Sequence, residues 1–284
     1  MADGLANWIL RATLDGAGLL AIGLGSHIAL GVVERSAAGL WRRWLLFLAE
    51  ATLVLAALRF AQLLFEMDPS APFDPGLIQL GWSVLGLSSL CLGGGACLIA
   101  LGALTGWRLL LLVGVLGVSA SFGLTGHSQG LAQPVPAQTA VALHVALAGF
   151  WVAAPLTLFP RSSLAPEALH KRLERFSAIA IAAVPLLIVL GIWLAWSIAG
   201  GVEALYSTPY GRLLLFKLGA AVAAFTLGAI NQRVLTERVR RDPGTGRALL
   251  GRSLLVEALL FAAIVLAIAA ATTVAPPQEI MAAV

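Results

Sequence analysis

Charge is what this sequence has least of. Only 11% of its 284 residues are Asp, Glu, Lys or Arg and 60% are hydrophobic, whereas soluble domains carry roughly a quarter charged residues. That balance excludes a soluble globular chain and implies an integral membrane protein. Cysteine is nearly absent: Cys91 and Cys97 share one apolar run, about 240° apart around a helix, so no disulfide is expected and no compartment can be read from them. There is no GxxxxGK[ST] phosphate loop, no His-Glu-x-x-His and no Cys-x-x-Cys, which argues against an enzyme and leaves ATP-driven pumping to another subunit. The opening "MADGLANWIL" lacks the basic region and cleavage site of a signal peptide, so its apolar run is expected to be retained as a helix. The net charge of +4 is explained by basic residues beside apolar runs, and no nucleic-acid partner is expected.

What is present is a series of apolar runs, each of about twenty residues, enough to cross a hydrocarbon core roughly 30 Å thick. The fold expected is all-α, a bundle of eight transmembrane helices in one polytopic membrane domain spanning 1–284 of the chain. The helices are read at 7–33, 44–65, 78–102, 108–126, 137–159, 175–199, 212–231 and 253–275. Turn-forming stretches such as "DPSAPFDPG", "QPVP", "STP" and "DPGTG" fall between or beside them, as breakers should. Segments 34–43, 103–108, 160–175 and 232–252 hold fourteen of the eighteen basic residues, so the positive-inside rule puts both termini outside. The glycines at 93–95 are read as a close helix-packing surface.

An ionisable group inside a span is expensive and calls for a partner or a function. In the outer half, Arg11 and Asp15 stand at i and i+4, with Arg59 at a similar depth, and the three are read as structural ion pairs. Nearer the inner face, His27, Glu50 and Glu257 are candidates for an inner cation station if their helices adjoin. Interfacial acids and a hydrogen-bonded histidine are the simpler alternative. The outer loop 66–76 carries Glu66, Met67, Asp68 and Asp74 without a basic residue, a composition that concentrates cations.

The stretch "TGHSQGLAQPVPAQTAVALHVALAGFW", 125–151, places two of the four histidines on one hairpin, His127 at the end of one apolar run and His144 inside the next, with no charge between them. By helical rise the rings fall within roughly 10–15 Å along the axis. Metal or cofactor binding is one reading. A capped helix end for His127 and a helix–helix hydrogen bond for His144 is the other.

Those motifs, with "RFSAIAIAAVPLLIVLGIW", "STPYGRLLLFKLGAAVAAFTLGAINQR" and "LLGRSLLVEALLFAAIVLAIAAATTVAPP", give a chain that resembles the CopD copper-resistance membrane proteins, also called PcoD or YebZ-like. The resemblance forms a core at about 107–276 and is loose over 1–106. It aligns family positions with Gly126 and His127, with Leu143, His144 and Trp151, with Tyr210, Gly211, Arg212 and Lys217, with Asn231 and Arg233, and with Glu257. Ala153 and Ala154 replace a glycine pair frequent in the family, and Asp15 or His27 stands where an early histidine is common.

The resemblance implies a bacterial inner-membrane protein handling copper, with a periplasmic carrier of the CopC type as partner besides the lipid bilayer. The function expected is copper uptake. Metal would be captured at His127 and His144 and passed inward by way of Met67, Trp151, His27, Glu50 and Glu257. Imidazole suits copper in either oxidation state and binds when neutral, so binding should weaken as pH falls through roughly 6.5. A haem-binding redox protein, or a non-transporting copper donor to an assembling oxidase, are the alternatives.

Overall fold

An apolar run in hydrocarbon must satisfy its backbone polar groups internally, and a helix does so run by run. A computed structural model describes residues 2–34, 38–125, 134–199 and 202–271, and all regular structure within them is helical. In chain order these are α1 (Ala2–Ala29), α2 (Ala38–Met67), α3 (Pro75–Thr105), α4 (Arg108–Gly123), α5 (Pro134–Val152), α6 (Ala154–Thr157), α7 (Pro166–Ala199), α8 (Val202–Ser207), α9 (Pro209–Ile230), α10 (Thr236–Arg241) and α11 (Pro243–Ala271). A π turn, Asn231–Leu235, joins α9 to α10. Among the described residues, seven helical stretches are long and apolar enough to cross a membrane. The fourth of the eight expected spans corresponds to α4, shorter at 16 residues.

Helix ends depart from the hydropathy reading in a consistent way. α7 begins at Pro166 and α11 at Pro243, well before 175 and 253, so much of the basic sequence read as loop is helical. Hydropathy marks the part of a helix that sits in hydrocarbon, whereas proline at the first helical position fixes where the helix starts. Asp74 caps α3 by accepting from the Gly76 and Leu77 N–H groups, and Thr208 caps α9 by accepting from Gly211 N–H. α5 ends at Val152 rather than 159, because Pro155 has no N–H to offer the Trp151 carbonyl.

α1 is the hub. Of its apolar window 61% is buried, against 11% for the window in α7 and 6% for that in α9, so the later helices present most of their surface outward. α1 packs on α2, α4, α5 and α11, and separates two cores. One gathers side chains of α1 to α4, such as Ile22, Leu45, Ile99 and Val118. The other joins α5 to α11, including Trp151, Leu187, Ala224 and Phe261. α1 and α5 touch backbone to backbone: a Cβ on Gly23 would fall 2.0 Å from the Gly149 carbonyl oxygen. α3 and α4 meet similarly, since a Cβ on Gly95 would lie 2.5 Å from Val118 N. Of the three glycines read as a packing surface, only Gly95 makes so close an approach; Gly94 has nothing within 4 Å.

Candidate functional site

The second core is not filled. Between α5, α7, α9 and α11 lies a cavity of about 250 Å³ whose lining includes Trp151, Phe176, Pro185, Phe225, Asn231 and Glu257. Each polar member arrives for a local reason. Trp151 comes in at the end of α5, where Pro155 stops the helix, and packs 4.3 Å from the Phe225 ring and 6.1 Å from that of Phe261. A Cβ on Gly228 would lie 3.0 Å from the Trp151 ring, so a small residue on α9 lets the indole in. Asn231 opens the π turn, a local widening of the helix that recurs at functional sites.

Glu257 projects from the middle of α11 and is 1% exposed. Its carboxylate accepts from Asn231 Nδ2 and from the Trp151 side chain. Asn231 Oδ1, in turn, is buried and has no hydrogen-bond partner among the described residues. No lysine or arginine lines the cavity. A carboxyl group with neutral partners, beside a spare carbonyl acceptor and with no lysine or arginine in the lining, leaves oxygen acceptors facing the cavity.

His127 lies outside the described residues. His144 sits ten residues into α5, about 15 Å along its axis. Its ring lies against α7, where a Cβ on Gly191 would be 3.2 Å from the imidazole Cε1. His144 Nδ1 is buried without a hydrogen-bond partner among the described residues, while the ring also bonds the Leu187 backbone of α7, the helix–helix hydrogen bond expected as the alternative, and feels the charge of Lys217 on α9. His144 does not line the cavity. It lies seven residues before Trp151 on the same helix, about 10 Å along the axis.

The inner station of His27, Glu50 and Glu257 does not assemble. His27 is fully buried; its Nε2 donates to the Phe150 carbonyl at 2.8 Å and its Nδ1 lies 2.7 Å from Thr157 Oγ1. Both ring nitrogens are therefore committed, and Phe150 and Phe176 contact the ring edge-on. Glu50 is exposed on α2, which packs on α1 and α3, whereas α11 packs on α1, α9 and α10. Among the described residues no three His, Cys, Asp or Glu side chains are grouped to hold a metal.

At the end of the bundle where α1 begins and α2 ends, Arg11 Nε lies 3.1 Å from Asp15 Oδ2. Arg59 lies 3.6 Å from Glu66, which also accepts from Asn7 and Gln62 at 3.1 Å, and its charge reaches Asp15. Met67 ends α2, half-buried. Asp68 accepts from the Ser70 hydroxyl and N–H, which hold its carboxyl below the usual range, so the loop between α2 and α3 keeps that negative charge. Cys91 and Cys97 are free thiols.

Sequence reasoning did not pair Asn231 with Glu257, although an amide inside an apolar run was a signal that a polar partner faces it. Thr157 as partner of His27 carried no such signal, because a lone threonine near a helix end bonds its own backbone in most settings.

The family described as copper resistance protein D, CopD, matches residues 170–271, which is most of α7 and all of α8 to α11 with the π turn. The stretch carrying His127 and His144 lies before that match. Copper transport protein CutJ of Bacillus subtilis (strain 168) is 28% identical over 155 residues, covering 51% of this chain and 28% of that protein. The chain thus spans less than a third of the curated relative it matches. No solved structure matches the chain. Over its C-terminal part the chain is CopD-like, and with seven long apolar helical stretches among the described residues it is a multi-pass bacterial membrane protein.

Proposed function

We propose that this CopD-like protein handles copper as a permease rather than as an enzyme, with eight spans, both termini outside and copper moving inward through the α5–α7–α9–α11 half. The observation that carries the reading is His144: a buried imidazole nitrogen without a partner, in hydrocarbon, on the helix that leads to the Asn231–Glu257 cavity. A neutral imidazole of this kind is a ligand for copper, and its Nδ1 stays open while the ring holds the Leu187 backbone of α7. In this reading His127 takes copper from a periplasmic carrier of the CopC type, His144 receives it, and it passes Trp151 to reach Glu257. The family match and the name of the Bacillus relative support copper as the cargo.

The test is copper uptake into proteoliposomes holding the purified chain. His144→Ala should lower uptake on the order of 10- to 100-fold, the loss typical when a metal site is deprived of one supporting group. Uptake equal to wild type sinks the reading. Purified protein showing a Soret band, with no copper by elemental analysis, would replace it with the haem alternative. Copper binding without accumulation would favour a non-transporting donor.

A further inference from the structure

A second pocket lies at the arginine-rich end of the bundle and shares no lining residue with the first. Its volume is about 150 Å³, and its walls are the turn at 31–34 after α1, with Arg108, Lys171, Arg172 and Arg175. Four cationic side chains face one carboxylate, Glu34. Such a gathering of like charge is repulsive unless an anion lies among it.

Part of this charge caps backbone. Arg175 Nε donates to the Leu30 carbonyl at 3.1 Å, and Arg172 Nη1 to the Thr157 carbonyl at 3.4 Å. Capping does not exhaust it. Arg172 is only 5% exposed, and its Nε is buried without a hydrogen-bond partner among the described residues. An unmet N–H on a buried charged group is costly, and an acceptor in the pocket is what it lacks. Arg108 opens α4, whose N-cap Trp107 supplies no side-chain hydrogen bond, so an uncapped, electropositive helix end adjoins the same wall. Gly31 completes the shape: its φ of 73° turns the chain, and a Cβ there would lie 3.4 Å from the Arg175 guanidinium.

We propose that this pocket is a phosphate-binding site, its ligand the phosphate of an anionic lipid headgroup or a free phosphate ion. Basic pockets between helices at a membrane surface recognise headgroups in this way, and guanidinium forks match phosphate oxygens. The site is independent of the copper reading and stands or falls without it.

The experiment follows the thermal unfolding of the whole chain in detergent as phosphatidylglycerol, phosphatidylcholine or inorganic phosphate is added, with native mass spectrometry counting retained lipid. Phosphatidylglycerol, or phosphate, should raise the unfolding temperature while phosphatidylcholine does not. Phosphatidylglycerol alone identifies a headgroup site; an equal shift with phosphate identifies a free-anion site. Arg108→Gln with Lys171→Gln alters the exposed rim, leaves the Arg172 and Arg175 bonds intact, and should abolish most of the shift and the retained lipid. Arg240→Gln with Arg241→Gln removes the same charge on α10 and should leave both unchanged. The proposal is overturned if neither anion acts on the wild type, if the rim pair responds as wild type does, or if the α10 pair loses as much as the rim pair.

Discussion

Glu257 and Asn231 show how two side chains in hydrocarbon settle their polarity. The carboxylate takes its hydrogen bonds from an amide and an indole, neither of which neutralises it. Charge and shape can be separated here by substitution. Glu257→Gln keeps volume and hydrogen-bonding capacity, so thermal stability should hold while copper uptake falls on the order of tenfold, the effect of about 1.4 kcal/mol. Asn231→Leu leaves the carboxylate short of a donor and should lower stability by about 1–3 kcal/mol in detergent unfolding. If Glu257→Gln transported normally, the cavity would be a packing defect and not part of the route. His27 is the contrasting case: the same residue type as His144, equally unusual in an apolar run, but with both nitrogens bonded.

Helices place these groups through their contacts and their breaks. α5 carries both His144 and Trp151, and its position is set where Gly149 meets Gly23 of α1. Gly23→Ala would drive a methyl into a carbonyl; the expected loss is roughly 1–3 kcal/mol, as for overpacked cores, read as a lowered unfolding temperature with reduced copper binding at His144. Pro185 in α7 lines the cavity and leaves the Ile181 carbonyl without its helical donor. Pro185→Ala restores that hydrogen bond, so the protein should unfold at a higher temperature and transport more slowly as α7 closes on the cavity. A stabilised variant with undiminished uptake would show that the break in α7 serves no transport role.

For the whole molecule, polarity along the bilayer normal organises everything else. Where α1 and α2 meet, the arginines are matched one to one with acids, Arg11 with Asp15 and Arg59 with Glu66, while at the opposite end Arg108, Lys171, Arg172 and Arg175 outnumber Glu34. The proposed orientation predicts that, in a cysteine-free background, Ser70→Cys is labelled by an impermeant maleimide in intact spheroplasts and Arg240→Cys only after lysis. The reverse pattern would invert the direction of transport. The wide exposure of α7 and α9 fits helices facing lipid, which costs nothing in hydrocarbon as it would in water.

Class and helix count to within one were legible in the amino-acid order alone, because hydropathy over twenty residues reports directly on the solvent a segment prefers. His144 and Glu257 were legible as polar groups in apolar runs, since each stands out against its neighbours. Which polar groups meet was not legible. His27 joining Thr157, Glu50 standing apart on α2 and Asn231 facing Glu257 depend on which helices adjoin and at what rotation. Those are set by glycine contacts, proline breaks and a π turn between elements far apart in sequence, so only the packed bundle decided them.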